Sequence, residues 1–249
     1  MEALIDGDIL VYRIGFAVQK KVGGDLVVEP PTHAFYLVKK SITSILKGCN
    51  AKQYRLFLTS NDKSNYRFLL AKTLRYKANR VQDKPFYYND IREYMINWWG
   101  AEVVSGREAD DEMGIAQVQS KSSTIICSID KDMLMVPGLH YRFVDGTTYR
   151  FEDPGELFAH KKDKILGGGL KWFYAQMLMG DTADNIPGLK GIGPKKALKL
   201  LQNIDTEEEM IYTVKKAYEE HKVLDRFDEV ADLLWIQREE GVKYTDRGL

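Results

Sequence analysis

The sequence predicts an α/β protein with a central mixed, mostly parallel sheet flanked by helices, followed by a helical C-terminal region. Short apolar runs that read as strands alternate with runs of helical periodicity up to about residue 129. After a turn signal at Asp145-Gly146 the strand patterns fade, and residues from about 170 onward have helical spacing. We therefore expect an α/β domain over residues 1–169 and a helical region over residues 170–249 that packs on it.

The strands are predicted from apolar runs that end in turn or acidic residues. They cover residues 2–6, 54–59, 101–104 and 124–129. In a mostly parallel sheet, the functional residues gather at the carboxyl ends of the strands. We therefore expect a pocket where these four runs end.

The helices are predicted from periodic apolar positions and from signals at their first residues. Thr32 is expected to cap one helix, and Asp90, with a glutamate three residues later, to open a second. Thr206 has the same capping pattern, and Pro194 stands where a helix would begin. These signals place helices on both sides of residue 170.

Composition indicates an intracellular protein. The 249 residues carry a formal net charge of zero, which neither favours nor excludes a nucleic-acid partner. Cys49 and Cys127 are too few for a disulfide framework, and the N-terminus does not have the pattern of a signal peptide. No apolar run approaches the roughly 18 residues of a membrane span. We expect a soluble, cytoplasmic protein.

Acidic residues cluster where the predicted strands and helices end. The candidate metal ligands are Asp6, Asp62, Glu108, Asp110, Asp111, Asp130, Asp132, Asp181 and Asp184. Close carboxylates repel one another unless cations lie between them, and ligand sets made only of oxygen favour Mg²⁺ or Mn²⁺. Acids also cap helices and fill turns for purely structural reasons, but such dense clusters at strand ends contribute nothing to a core. The first hypothesis is a metal-dependent nuclease.

A glycine-rich turn near residue 190 is a candidate phosphate-binding element. Gly191, Ile192 and Gly193 precede the helix that starts at Pro194, and its first turn contains Lys195 and Lys196. Glycines allow close approach to the backbone amides, and a helix N-terminus favours an anion. The alternative is an ordinary turn between two helices.

A basic segment, residues 63–82, contains a second candidate. Tyr76 is followed by Lys77 and Arg80, so an exposed ring could stack on a terminal base while the two cations hold a phosphate. The alternative is that Tyr76 packs on the core and the cations are solvated.

Six motifs in this order resemble the 5′-nuclease superfamily of flap endonucleases and polymerase-associated 5′→3′ exonucleases. They are LIDGD, TSNDKSNYR, YKANR, EADDE, SIDKDMLMVP and GDTADNIPGLKGIGPKKA, and they span about residues 2–202. The chain is most similar to the bacteriophage exonucleases, which would place it in the host-cell cytoplasm and in DNA replication. The resemblance implies a PIN/5′-nuclease-like fold and a helix-three-turn-helix motif within residues 170–249 that grips duplex DNA.

The resemblance also implies roles for the candidate residues. The first metal cluster would comprise Asp6, Asp62, Glu108 and Asp110, and the second Asp111, Asp130, Asp132, Asp181 and Asp184. Lys77 and Arg80 match the basic pair on the scissile phosphate, and Tyr76 the aromatic residue beside it. The cofactors would be two or more Mg²⁺ ions, replaceable by Mn²⁺, with K⁺ at the hairpin formed by Gly191, Ile192 and Gly193.

Two departures from the family pattern matter. Asp8 is an additional acid that fits either a ligand or a turn residue. Residues 81–107 offer little chain for a helical arch, which favours an exonuclease over a dedicated flap endonuclease. The expected substrate is duplex DNA with 5′ ends or flaps, or an RNA-DNA hybrid, cut by a monomeric enzyme that hydrolyses phosphodiester bonds with metal-activated water.

Two other functions compete with the nuclease. LIDGDIL and GDTAD also resemble a haloacid-dehalogenase phosphatase, in which Asp6 would be the nucleophile and Asp8 the general acid. That function leaves EADDE, DKD and GIGPKK unexplained. A non-catalytic DNA-end-binding protein would keep the hairpin and lose acids, yet every expected acid is present.

Overall fold

A computed structural model describes residues 1–120, 123–160 and 163–249. The strands are β1 (Glu2–Asp6), β2 (Gln19–Val22), β3 (Asp25–Val28), β4 (Gln53–Thr59), β5 (Glu102–Val104), β6 (Thr124–Cys127), β7 (Gly138–Arg142), β8 (Thr147–Phe151), β9 (Glu156–His160), β10 (Lys164–Gly168), β11 (Gly180–Asp181) and β12 (Ile186–Pro187). The α-helices are α1 (Gly7–Ala17), α2 (Pro31–Gly48), α3 (Arg67–Leu70), α4 (Tyr88–Trp99), α5 (Ala109–Gln119), α6 (Gly169–Met179), α7 (Pro194–Leu201), α8 (Glu207–Glu220) and α9 (Phe227–Leu234). Short 3₁₀ helices cover Asp132–Met135, Leu224–Arg226 and Tyr244–Arg247.

The chain forms two compact units that alternate along the sequence. The first unit comprises Met1–Lys63, Gln82–Ile129 and Leu139–Tyr149. The second comprises Ser64–Val81, Asp130–Gly138 and Arg150–Leu249. The expected boundary at residue 170 lies at the start of α6, inside the second unit, so a division of the chain there stays a prediction.

Within the described residues, the central sheet has the strand order β5-β4-β1-β6-β7-β8. Strand β1 pairs in parallel with β4 and with β6, and the pairs β4–β5 and β6–β7 are also parallel. The near-continuous apolar sequences of β1, β4 and β6 fit strands that are covered on both faces. The predicted mixed, mostly parallel sheet is confirmed.

One core of the first unit forms where α1, α2 and α4 meet the sheet. Leu10, Val38, Ile42 and Ile91 are buried there at the apolar spacings of their helices. At Gly7 a Cβ atom would lie 2.5 Å from the carbonyl oxygen of Phe57 in β4. Only glycine therefore lets α1 start directly against the sheet, and this close approach fixes the position of Asp6.

The second unit is built around α6. This helix is buried on all sides from Gly169 to Leu178, as a helix with apolar residues around its whole circumference should be. Arg67 is 2 % exposed and donates hydrogen bonds to the carbonyl oxygens of Leu233 (3.0 Å) and Trp235 (2.6 Å). The basic segment of residues 63–82 contains only the short α3, and one of its cations supports the fold.

Of the four sequence signals for helix starts, two mark the start of an observed helix and two do not. Pro194 begins α7, and Thr206 caps α8 by accepting a hydrogen bond from the Glu209 amide at 3.4 Å. Thr32 lies inside α2, which begins at Pro31 because a proline suits the first helical position. Asp90 is likewise the third residue of α4 and does not cap it. None of the described helices has both the length and the apolar character needed to cross a bilayer.

Candidate active site

In the first unit, Asp6 is both the last residue of β1 and the N-cap of α1. Its Oδ1 accepts from the Ile9 amide at 3.1 Å, and its Oδ2 accepts from the Ser128 hydroxyl, just beyond β6, at 2.7 Å. The side chain is held on both oxygens and the residue is 2 % exposed. Capping and the neighbouring strand thus fix this carboxylate at the carboxyl end of the sheet.

The acids of α5 lie at the same edge. Glu108 is the N-cap of α5 and forms a capping box with Asp111, whose carboxylate accepts from the Glu108 amide at 3.1 Å. The Ala109 amide donates to the Thr59 hydroxyl at the end of β4 (2.9 Å), which ties the helix start to the sheet. Asp111 is fully buried, whereas Asp110 is partly exposed in the first turn.

Asp62 follows β4 in a turn. Its Oδ2 accepts a hydrogen bond from the Ser105 hydroxyl, just after β5, at 2.6 Å. Strands β4 and β5 are neighbours, so Asp62 belongs to the same end of the sheet as Asp6. The first unit therefore brings together the ends of the strands that the sequence predicted to form a pocket.

Asp8, which the sequence left open between ligand and turn residue, is held by Arg92 of α4. Its Oδ1 lies 3.1 Å from the Arg92 guanidinium and its Oδ2 accepts from the Thr59 amide at 2.9 Å. Burial raises the pKa of Asp8, although the hydrogen bond from Thr59 and the charge of Arg92 oppose this. Asp8 therefore has a structural ion pair. Sequence reasoning missed Arg92, because one arginine in a helical pattern carries no specific signal.

In the second unit, Lys131 lies between two predicted metal ligands. Its Nζ is 2.7 Å from Oδ1 of Asp132 and 3.8 Å from Oδ2 of Asp181. The Asp132 amide donates to Asp130 at 2.9 Å, and the Gln176 side-chain amide donates to Asp132 at 2.5 Å. Lys131 and Gln176 were not among the predicted site residues.

The carboxylates around Lys131 have pKa values shifted from those of ordinary aspartates. Burial, together with the charge of Asp130, raises the pKa of Asp132 to about 8. Burial also raises the pKa of Asp130. For Asp181, burial is outweighed by the charge of Lys131 and by a hydrogen bond with Asp132, so its pKa is lowered. Such crowded carboxylates, largely withdrawn from water, are typical of sites that bind cations.

Asp184 contacts Lys77 and Arg80, the pair predicted to hold the phosphate, and also Tyr76, the residue predicted to stack beside it. The Tyr76 hydroxyl donates to its Oδ2 at 2.8 Å, Lys77 Nζ lies 3.6 Å from the same oxygen, and Arg80 pairs with Oδ1. Of the two positions that the sequence left open for Tyr76, the structure has the buried one. Tyr76 is 5 % exposed and its ring packs edge-on against Phe68, so it offers no stacking face as placed.

The glycine-rich turn has the predicted form. Gly191 has a φ of +78°, a conformation that favours glycine, and α7 follows directly after Gly193. A Cβ atom at Gly193 would meet nothing within 4 Å, so the backbone is open to solvent there. Lys195 is largely exposed and its Nζ lies 2.7 Å from Asp163.

The donor chemistry of these groups suits a hard divalent cation. As the side chains are placed in the described ranges, no three Asp, Glu, His or Cys residues converge closely enough to hold a metal ion. In the second unit the reason is visible, because Lys131 and Arg80 already pair with the carboxylates. The Gln176 Oε1 atom is buried beside Asp132 and has no hydrogen-bond partner among the described residues. Carboxylates that already attract cations, with a spare amide oxygen, fit an oxygen-coordinated metal.

Comparison with known proteins gives consistent matches. Residues 171–239 match the family model described as "5'-3' exonuclease, C-terminal SAM fold". The chain is 28% identical over 221 residues to a 5'-3' exonuclease of Buchnera aphidicola subsp. Schizaphis graminum, covering 86% of this chain and 74% of the relative. It is 26% identical over 262 residues to DNA polymerase I of Chloroflexus aurantiacus, covering 98% of this chain and only 26% of the polymerase.

Solved structures agree on the fold. The D15 protein of bacteriophage T5, co-crystallised with metal ions, superposes with a TM-score of 0.63 at 16% identity, covering 95% of this chain and 89% of that one. The matches together indicate a nuclease, as the sequence predicted. Residues 171–239 thus match a 5'-3' exonuclease family model, the whole chain is similar to curated 5'-3' exonucleases and DNA polymerases I, and its fold is that of the T5 D15 protein.

Proposed function

We propose that this nuclease uses Mg²⁺ to hydrolyse phosphodiester bonds at the 5′ ends of duplex DNA. The observation that carries the proposal is the crowding of Asp130, Asp132 and Asp181 around one ammonium group, with burial raising the pKa of Asp132 to about 8. Apolar residues in the same place would stabilise the fold at least as well as this acid cluster does. The acids, however, provide the oxygen ligands that a divalent metal ion prefers. A T5 flap endonuclease of the same fold has been crystallised with DNA and metal ions.

Each unit by itself has carboxylates that would hold a metal ion. In the first, Asp6, Asp62, Glu108 and Asp110 supply carboxylate oxygens at the carboxyl end of the sheet. In the second, the donors are Asp130, Asp132, Asp181 and Asp184. A bound divalent ion supplies charge stabilisation at the phosphate and a lower pKa for water. Mn²⁺ has the same preference for oxygen and should substitute.

Asp111 is a weaker candidate than the other acids. Its carboxylate is fully buried and completes the capping box of α5. We propose that it supports Glu108 and Asp110 by fixing the start of this helix. That role needs no direct contact with a metal ion.

Lys77 and Arg80 would bind the scissile phosphate. Lys77 has a φ of +55°, which is rare outside glycine, and its amide donates to the Asp184 carbonyl oxygen at 2.9 Å. A strained residue held in this way is typical of functional sites. Both cations pair with the Asp184 carboxylate. A phosphate oxygen could take the place of this carboxylate and would balance the charges of Lys77 and Arg80 in the same way. Tyr76 would hold Asp184 through its hydroxyl and would leave base stacking to other residues.

The turn at Gly191–193 and the first residues of α7 would hold the duplex through its phosphates. Open backbone at Gly193, the positive end of α7 and Lys195 with Lys196 recognise phosphate without reading bases. We also propose that K⁺ binds the carbonyl oxygens of this turn. The same contacts would serve an RNA-DNA hybrid.

Exonuclease action is preferred over flap cutting. Between Arg80 and α4, residues 81–87 contain no helix or strand, so a helical arch has no segment there to form it. The phosphatase alternative is disfavoured, because Asp8, its general acid, is engaged by Arg92 and Thr59. The enzyme is proposed to act as a monomer.

A substrate panel tests the proposal. Blunt duplex DNA, a 5′-flap duplex, an RNA-DNA hybrid and a phosphate monoester would each be incubated with Mg²⁺, Mn²⁺ or EDTA. We expect both metals to support cleavage of the duplexes, EDTA to abolish it, and the blunt duplex to be cut at least as well as the flap. Turnover of the monoester alone would overturn the proposal.

A further inference from the structure

Lys131 lies within ion-pair distance of two acids of the second unit. Its Nζ lies 2.7 Å from Asp132 and 3.8 Å from Asp181, while Asp130 is the preceding residue. The ammonium is also 5.8 Å from the centre of the Trp172 ring, which adds a weak attraction. A single cation therefore bridges two carboxylates that come from separate parts of the chain.

Without a cation, this arrangement would be unfavourable. Asp132 is partly buried beside Asp130 and Asp181, and like charges at such separations repel strongly in a protein interior. The Lys131 ammonium, 2.7 Å from Asp132 and 3.8 Å from Asp181, offsets this repulsion.

Lys131 can also leave this position. Its side chain is 51% exposed, and a lysine stem is long and flexible, so the ammonium can turn into solvent without moving the backbone. By contrast, Gln176, which donates to the same Asp132 oxygen, is 1 % exposed and fixed within α6. Of these two donors to the Asp132 oxygen, Lys131 is the one that can move away.

We propose that Lys131 is a positioning residue that serves as an internal counter-ion, bridging Asp132 and Asp181 in the metal-free protein and moving into solvent when a divalent ion binds. The inference rests on the proposed metal-dependent function and deepens it. Before the metal binds, the Lys131 ammonium keeps the carboxylates in place. Metal binding then exchanges this ammonium for a divalent ion. The displaced ammonium would then be accessible to solvent.

The first test measures the lysine itself. The wild-type chain is treated briefly with an amine-acetylating reagent in EDTA or in saturating Mg²⁺, and the modification of Lys131 is quantified by mass spectrometry. We expect severalfold faster modification of Lys131 in Mg²⁺. Lys195, a surface lysine paired with Asp163, is the control and should react at the same rate in both. Equal reactivity of Lys131 in both conditions would overturn the inference.

The second test uses Lys131→Met, which removes the charge and keeps the length, beside Lys131→Arg, which keeps the charge. The Met variant should melt at a lower temperature than wild type in EDTA, and Mg²⁺ should raise its melting temperature by more. The Arg variant should behave as wild type. Equal shifts in the wild type and the Met variant would refute the counter-ion role and leave the proposed function intact. If Mg²⁺ shifted no melting temperature, both the metal site and this inference would fail.

Discussion

Asp6 caps a helix and belongs to the predicted metal cluster at the same time. Capping and metal binding are alternatives when only the sequence is considered, but the structure shows that a cap can aim a carboxylate at the edge of the sheet. Asp111 is buried in the capping box of α5, and we propose a structural role for it. The spacing of the sequence identifies the acids, but only their tertiary contacts distinguish a carboxylate available for a metal ion from one that caps a helix.

The residues that pair with the acids were harder to predict from the sequence than the acids themselves. Arg92 reaches Asp8 from a different helix, and Gln176 reaches Asp132 from α6. For Tyr76 the sequence left both an exposed and a buried position open, because a local string does not reveal burial. Lys131 could have been found, since a lysine between two acids in DKD is a local signal of charge balance.

Replacing Asp132 with Asn should abolish most of the activity. Cleavage should fall by about 100-fold or more, because even groups that only support a ligand contribute about 10- to 100-fold. DNA binding, measured in EDTA, should be unchanged. Asp25→Asn in the exposed β2–β3 hairpin is the control and should cleave normally. If the Asp132 variant cleaved at the wild-type rate with equal DNA binding, the metal assignment would be wrong.

Asp132 should also make the stability of the metal-free protein depend on pH. Burial raises its pKa from 3.8 to about 8, so the folded state keeps a proton that the unfolded state loses between these values. This contribution is fully present below pH 4 and is lost as the pH rises towards 8. Urea denaturation in EDTA should therefore show a smaller loss of stability from pH 5 to 8 in Asp132→Asn than in wild type. Parallel losses would count against the raised pKa.

The ion pair of Arg92 should matter far more than an exposed pair. Arg92→Met would leave the partly buried Asp8 without its cation and should lower the free energy of unfolding by about 3 kcal/mol. Arg150→Met removes a pair whose side chains are both 67% exposed, and should cost about 1 kcal/mol or less. Urea denaturation of both variants provides the comparison. Equal effects would mean that the Arg92 pair is solvated.

At the scale of elements, two of the four sequence signals predicted the start of a helix correctly. Pro194 and Thr206 mark the starts of α7 and α8, because both act through their own backbone or a residue three positions away. Signals at Thr32 and Asp90 failed, since tertiary packing and Pro31 start those helices earlier. A capping residue shows that a helix is near, and the packing of its apolar face decides where it begins.

The turn before α7 supports a prediction about DNA binding. Changing Lys195 and Lys196 together to Ala should weaken duplex binding and reduce the slope of log K against log salt by about 2, because each lysine that binds a phosphate adds roughly one unit to that slope. Lys39 and Lys40, a pair of exposed lysines on α2, provide a matched double-alanine control that should bind normally. An equal decrease in affinity in both double variants would show that only overall charge matters.

At the scale of the whole molecule, the sheet was predictable and the alternation of the two units was not. Apolar strand runs with helices between them imply a parallel sheet, which the parallel pairs β1–β4, β1–β6 and β4–β5 confirm. The inclusion of residues 64–81 and 130–138 in the second unit depends on contacts far apart in sequence, such as Arg67 with Trp235 and Lys77 with Asp184. Local periodicity carries no information about such pairings.

The most direct test of the nuclease assignment follows the two ends of one DNA strand. Duplexes labelled at the 5′ end or at the 3′ end of the same strand are incubated with the enzyme in Mg²⁺ or in EDTA. We predict Mg²⁺-dependent release of the 5′ label as mono- or short oligonucleotides, while the 3′ label stays on strands that shorten progressively. Release of the 3′ label first, or equal cleavage in EDTA, would contradict a metal-dependent 5′→3′ exonuclease.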